Sequence, residues 1–387
     1  MRYPRSWSAA RIAGSRPAAP DRPLPREAWA AFCAAALAAL VHASVVGTLP
    51  RALIVAAAAL VCLDLALHRP ARLGRAATRG EVALPLSASL AWLFFPRAAL
   101  SQRPAAPAPA RSHDAGGVVT TVPTGERLAG PDGAVLHPSG DLLVASWAGG
   151  KGTRVMRVPR GGGAATVFLD GLVAPDAVLY GPDGALYVSN FGDGTVVRVD
   201  SAGGRRTVAS GLGHPSGLAF DAAGDLYVAD FGNFDGTVVH RVARDGTARV
   251  FARGFSAPIG LVFDPAGTLY VASFGSGEVH AVAPDGAARV HARVPNAPRA
   301  MLQYLARDGA GNLYVPSYGH QRVYRIDPAG GLHVVAGTGA RGARDGAGAE
   351  ATFEGPNSIV READGTLWIT EYDGGRVRRI VPAPRAR

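Results

Sequence analysis

The chain has 387 residues. It is 48% hydrophobic but only 7% aromatic, and its 50 Gly and 29 Pro point to a turn-rich, β-rich fold with room for more than one domain. The net charge of +10 sits at one end: residues 1–117 hold 14 Arg against 5 Asp and Glu, whereas residues 118–387 hold 26 basic against 25 acidic groups. The larger part therefore has no basic excess to neutralise a phosphate backbone, which argues against nucleic acid as a partner. The two cysteines, Cys33 and Cys62, lie in apolar N-terminal stretches, so neither a disulfide framework nor a cysteine metal site is encoded.

Residues 1–27 form a basic tail. Residues 28–100 read as a transmembrane helical region of two or three spans. The stretch 28–49 is long enough to cross a bilayer, 52–67 is shorter and carries Asp64, and 82–100 is interrupted by Pro85, Pro96 and Arg97. Six arginines precede the first stretch and Arg69, Arg72, Arg75 and Arg79 follow the second, whereas Arg51 stands alone in the turn between them. The excess of arginine predicts a cytoplasmic N-terminus and a cytoplasmic 69–81 loop. Three spans then put the rest of the chain on the outer side of the inner membrane, in an extracytoplasmic (periplasmic) position; two would leave it inside. The first apolar run is too long and starts too late for a secretory signal peptide. Residues 101–117, SQRPAAPAPARSHDAGG, read as an extended, semi-rigid Pro/Ala linker.

From residue 118 onward one unit recurs six times. Pro131, Pro175, Pro215, Pro258, Pro298 and Pro356 mark its starts, at spacings of 44, 40, 43, 40 and 58 residues. Each copy carries a short apolar strand, a turn such as GPDG, a strand such as ALYVSN or DLYVAD, a Gly-rich turn and two further strands. Period-two alternation in segments too short for helices, four per ~40 residues, predicts the blades of a six-bladed β-propeller over 118–387. The last copy stops after its third strand, and VVTTVPTG at 118–125 supplies the missing fourth. Closing the ring this way removes free sheet edges. The second strand always ends before an aromatic residue (Trp147, Phe191, Phe231, Phe274, Tyr318 and Tyr372), which predicts packing between neighbouring blades.

The blades PSGLAFDAAGDLYVAD (215–230) and PNSIVREADGTLWITE (356–371) resemble NHL repeats, six-bladed relatives of WD40 propellers. The resemblance implies the fold and leaves the activity open. Two enzyme groups share the architecture. Gluconolactonase-like propellers hold a divalent metal at the central channel; virginiamycin B lyase-like propellers have blades that read much like GTLWITEYDGGRVRRI. Glu354-Gly355-Pro356 looks like the lactonase Glu-Gly-Pro but falls in the last blade, and a lyase-type His and Glu pair is not recognisable.

Two variable positions per blade line one mouth of such a ring. The residues after the prolines are Asp132, Asp176, Ser216, Ile259, Arg299 and Asn357; those before the aromatics are Ser146, Asn190, Asp230, Ser273, Ser317 and Glu371. Asp132, Asp176 and Asn357 come from neighbouring blades and offer three oxygen ligands to Ca²⁺ or another hard divalent cation. Asn190, Asp230, Arg299 and Glu371 are candidate ligand-binding residues at the same mouth; turn and loop chemistry is the competing reading for Asp and Asn. The Gly-rich connection 337–355 reads as a binding loop or lid on that face. Two functions follow: a membrane-tethered binding or sensor module for a protein, glycan or small molecule, or a metal-dependent lactonase-type hydrolase or lyase. The linker joins on the face opposite the mouth, which predicts a mouth turned away from the membrane.

Overall fold

The six units fold into six antiparallel sheets because each turn between their strands is closed locally. In the GPDG, DAAG and DPAG turns the glycine amide returns to the carbonyl three residues earlier, as in Gly184 to Gly181 and Gly224 to Asp221. An aspartate caps many of these turns, as Asp221 accepts from the amides of Ala223 and Asp225. The computed structural model describes residues 111–113, 117–295 and 299–383. Residues 28–100 lie outside these, so the expected spans are not described; among the described residues no helix is long and apolar enough to cross a membrane. Chain contacts divide after Pro104, and the unit Ala105–Arg387 contains every described strand.

Two strands precede the blades, β1 (Arg111–His113) and β2 (Gly117–Val122). Blade 1 is β3 (Pro131–Leu136), β4 (Leu142–Ser146), β5 (Arg154–Val158) and β6 (Thr166–Leu169). Blade 2 is β7 (Pro175–Tyr180), β8 (Leu186–Asn190), β9 (Thr195–Val199) and β10 (Arg205–Ala209). Blade 3 is β11 (Pro215–Phe220), β12 (Leu226–Asp230), β13 (Val238–Val242) and β14 (Ala248–Arg253). Blade 4 is β15 (Pro258–Phe263), β16 (Leu269–Ser273), β17 (Glu278–Val282) and β18 (Ala288–Arg293). Blade 5 is β19 (Ala306–Arg307), β20 (Leu313–Ser317), β21 (Arg322–Ile326) and β22 (Leu332–Ala336). After β23 (Gly346–Ala347), blade 6 is β24 (Pro356–Arg361), β25 (Leu367–Glu371) and β26 (Arg376–Pro382).

The predicted closure is present. β2 pairs antiparallel with β26 from Gly117↔Pro382 to Val122↔Val377, and the sheet order is β23-β2-β26-β25-β24. Gly117 thereby lies on the face opposite the mouth. Buried clusters fill the blade interfaces. Val122, Trp368 and Val377 pack on Leu142, Val144 and Val158 where blade 6 meets blade 1, and Leu143, Val155, Val178 and Val188 fill the next interface. At ~1.5–3 kcal/mol for each large apolar side chain fully buried, these interfaces are what hold the blades in a ring.

Three expectations change. Residues 111–113 of the expected linker form a strand, β1, parallel to β22 at the outer edge of blade 5. The connection 337–355 is not a free lid. β23 pairs with β2 on the outer edge of blade 6, and Gly337, Thr338 and Gly348 are held by backbone bonds to Gly348, Ala351 and Gly117. Arg378, fully buried, pins it from below through Thr352 O, Arg344 O, Asp345 and Glu371, with its guanidinium 5.1 Å from the Phe353 ring. Its glycines serve turns of positive φ, such as Gly339 at 93°, and covering the last sheet edge replaces the mobility that its composition suggested.

The third change is the register of blade 5. In the other blades the proline pairs with the residue before the aromatic, as in Pro175↔Asn190 and Pro356↔Glu371. In blade 5 the bridge is Leu302↔Ser317. The residue ahead of the inner strand takes a left-handed φ in Gly130 (52°), Ala174 (48°), Ala257 (49°) and Gly355 (72°); in blade 5 this residue is Met301 (51°). Pro298, which lies outside the described residues, therefore does not start the blade. Gln303, not Arg299, holds the position that follows the proline elsewhere; Gln303 is buried and Arg299 exposed. The reading slipped by four residues because Leu302 stands where the repeat's proline is expected.

Candidate functional site

The mouth is built by a bulge repeated around the ring. In five blades the inner-strand register shifts between the proline and the third residue after it, as between Pro131↔Ser146 and Ala134↔Val144. A bulge twists the strand and re-aims its side chains. The two residues after the proline are brought to the axis, where neighbouring inner strands come very close. A Cβ on Gly133 would stand 2.5 Å from Asp176 O, one on Gly217 1.7 Å from Ile259 O, and one on Gly260 2.5 Å from Gln303 O. This second position is accordingly small in five blades: Gly133, Ala177, Gly217, Gly260 and Ser358. In blade 5 it is Tyr304.

Tyr304 reaches across the ring. Its hydroxyl donates to Asp176 Oδ1 of blade 2, the opposite blade, and would lie 3.2 Å from a Cβ on Gly133 of blade 1. Its ring also packs against Phe231, Ile259 and Phe274. The phenol thus fills the axis and gives the mouth a floor.

Asp132, Asp176 and Asn357 do converge there, each at most 6% exposed. Asn357 Nδ2 donates to Asp132 Oδ1 at 2.9 Å, and Ser216 Oγ donates to Asp176 Oδ1 at 2.7 Å. Burial pushes the Asp132 carboxyl well above the usual range, and the neighbouring Asp176 pushes it further against the hydrogen bonds of Asn357 and Tyr304. Burial also raises Asp176, to about 6, although Tyr304 and Ser216 bond to it and pull it down. The pair therefore retains a proton well above the ordinary carboxylate range. Burial first, then the two carboxylates, push the Tyr304 phenol up, so it remains a donor. Asn357 Oδ1 is buried and has no hydrogen-bond partner, which leaves one unmet acceptor beside the carboxylate pair.

The predicted aromatic packing between blades is present for five of the six residues, which form a collar, while the Tyr318 hydroxyl donates to Asp373. Ring centroids of Tyr372 and Trp147 are 5.8 Å apart, Trp147 and Phe191 5.6 Å, Phe191 and Phe231 6.1 Å, Phe231 and Phe274 5.5 Å. Trp147–Phe191 and Phe231–Phe274 meet edge to face and the other two pairs are tilted; aromatic pairs of this kind add ~0.5–1.5 kcal/mol each beyond burial. Phe234, 55% exposed, extends the collar outward over Phe231 and Phe274. Burial raises the Tyr372 phenol, and Asp132 and Asp176 add to the shift, so collar and carboxylates share one field.

The other candidates are engaged in the loops before the inner strands. Asn190 Oδ1 accepts from the Val173 amide at 3.3 Å and its Nδ2 donates to Thr195. Asp230 accepts from the amides of Gly213, His214 and Gly232 and pairs with His240. Burial would raise its carboxyl, but these bonds outweigh burial and hold it well below the usual range. Glu371 is fully buried and accepts from the Glu354 amide and Arg378. Glu354 itself turns to Arg376 and Arg341. Among the described residues no group of three or more His, Cys, Asp and Glu converges. Sequence reasoning missed Gln303 and Tyr304, because Pro298 too is followed two residues on by a small residue, Ala300, so the repeat pattern hid the shifted register.

A family model of the SMP-30/Gluconolactonase/LRE-like region matches residues 170–318. Over those residues the chain resembles gluconolactonase-like propellers. The match takes in Asp176 and Tyr304 and stops short of Asp132 and Asn357. Among solved structures, a gluconolactonase from Xanthomonas campestris is 21% identical with a TM-score of 0.55, covering 73% of this chain and 99% of that one. An auxiliary nutrient binding protein from Bacteroides thetaiotaomicron is 13% identical with a TM-score of 0.57, covering 68% and 76%. Virginiamycin B lyase from Staphylococcus aureus is 13% identical with a TM-score of 0.51, covering 70% and 89%. At these identities the likeness establishes the fold alone. No curated protein matches the chain.

Proposed function

We propose that the protein is a membrane-tethered binding or sensor module that holds a ligand in the mouth of its propeller, on the extracytoplasmic side of the inner membrane. The observation that carries this reading is the blind mouth: an aromatic collar above a floor closed by Tyr304, with the unmet acceptor Asn357 Oδ1 beside two carboxylates. Buried polar atoms lacking partners are costly, and a ligand that supplies the missing bond recovers that cost. The tether rests on the apolar stretches and arginine pattern of residues 1–100. The chain enters blade 6 at Gly117, opposite the mouth, which suits a mouth turned away from the bilayer. The fold likeness to a nutrient binding protein supports a use of this architecture for capture.

A second reading, a lactonase-type hydrolase or a lyase, is favoured by the donor set. Asp132, Asp176 and Asn357 present only hard oxygens, and the free Oδ1 fits a Ca²⁺ or similar ligand. Such an ion would polarise a substrate carbonyl.

A thermal-shift screen of the full-length protein against small molecules, oligosaccharides and lactones separates the two. The binding reading expects compounds that raise the melting temperature, lose the effect in Trp147→Ala and are recovered chemically unchanged. Turnover of a lactone or ester, lost on chelation and restored by a divalent cation, would replace it with the hydrolase reading.

A further inference from the structure

We infer that the ligand of the mouth is an organic cation, a primary alkylammonium group inserted through the aromatic collar onto Asp132, Asp176 and Asn357; this rests on the binding reading above. The floor is rich in acceptors: two carboxylates and an amide oxygen that is buried without a donor. An ammonium group brings three N–H donors and no acceptor, and so matches them in kind. The side chains bonded to the pair, Asn357 on Asp132 and Tyr304 and Ser216 on Asp176, are neutral donors.

The collar selects the kind of cation. The rings of Tyr372, Trp147, Phe191, Phe231 and Phe274 follow one another around the mouth at centroid spacings of 5.5–6.1 Å. A cation within about 6 Å of an aromatic face is attracted to it. A strongly hydrated metal ion gains little from such a collar, whereas an alkylammonium gains twice, its charge from the ring quadrupoles and its alkyl chain from the apolar rim of Met301 and exposed Phe234. Tyr304 sets the depth: its phenol blocks the axis at the level of Asp176, so the site takes one charged head and leaves the tail in the collar.

Isothermal titration of the full-length protein with butylammonium, 1-butanol, glucose and Ca²⁺ tests this. The expected result is one-to-one binding of butylammonium, at least about tenfold tighter than 1-butanol. Asp132→Asn and Asp176→Asn are isosteric, are checked for an unchanged circular dichroism spectrum, and should each weaken butylammonium at least tenfold without affecting 1-butanol. Arg206→Ala, on the opposite face, should leave affinity unchanged. Equal binding of butylammonium and 1-butanol overturns the inference. Tighter binding of Ca²⁺ through the same two aspartates overturns it in favour of a metal site. Mouth-dependent binding of glucose or another neutral compound in place of butylammonium overturns the ligand class and leaves the binding reading standing. No mouth-dependent binding by any probe or by the screen overturns both.

Discussion

Asp176→Asn should flatten the dependence of stability on pH. Burial raises the Asp176 carboxyl to about 6 in the folded protein, against 3.8 when unfolded. The folded state then binds more protons than the unfolded state between these values, so stability is complete below the unfolded pKa and falls as pH rises through the folded one. The shift amounts to about 3 kcal/mol in full, a little under half of which falls between pH 5 and 7.5. Asp132 is displaced in the same direction by burial and by Asp176, so relieving it in the variant adds to the effect. His280 and His291, lowered by burial, act in the opposite sense and cancel when variant and parent are subtracted. Urea unfolding of the Ala105–Arg387 unit, parent and variant, at pH 5.0 and 7.5 gives the four free energies. The parent should lose at least about 1 kcal/mol more than the variant over that interval. A difference of zero, or one of opposite sign, would refute the placement of Asp176 as a buried, proton-holding carboxyl.

Tyr304→Phe removes the hydroxyl that bonds Asp176 and pulls its pKa down, so the same pH transition should move upward, read by the same urea series. Arg378→Met removes the cation hydrogen-bonded to buried Glu371, leaves it only Arg376 at 3.6 Å, and should cost about 3 kcal/mol. Trypsin should then cut first at Arg341 or Arg344, because the 337–355 connection loses its anchor. Replacing Val119, fully buried on β2 against Val323, Ala336 and Ile380 where blades 5 and 6 meet, by Asp should loosen that interface and lower the melting temperature by more than 5 °C in a thermal melt, on the basis of about 3 kcal/mol or more for an unpaired buried charge.

The ring and its closure were legible because they depend on local rules. Turn aspartates and glycines, period-two strands and a recurring proline each act within a few residues, and a missing fourth strand can be counted. The aromatic before each Gly-rich turn was legible for the same reason, as was the convergence of Asp132, Asp176 and Asn357, which follows from the repeat alone. Residues 337–355 were misread because composition reports backbone freedom and not the partners that remove it; Arg378 lies more than twenty residues away in sequence.

What the sequence by itself determined is the scaffold: six blades, a strand borrowed from the N-terminal side, and one mouth with variable residues. Only the tertiary structure decided which residue fills the axis. In a ring, opposite blades meet at the centre although 128 positions separate Asp176 from Tyr304, and no local pattern links them. The bulges turn these side chains inward, the close approach of neighbouring strands forces small residues at the other five places, and a single tyrosine closes the floor. Burial at that point, not residue type, makes Asp132 and Asp176 hold a proton and leaves Asn357 with an unmet oxygen.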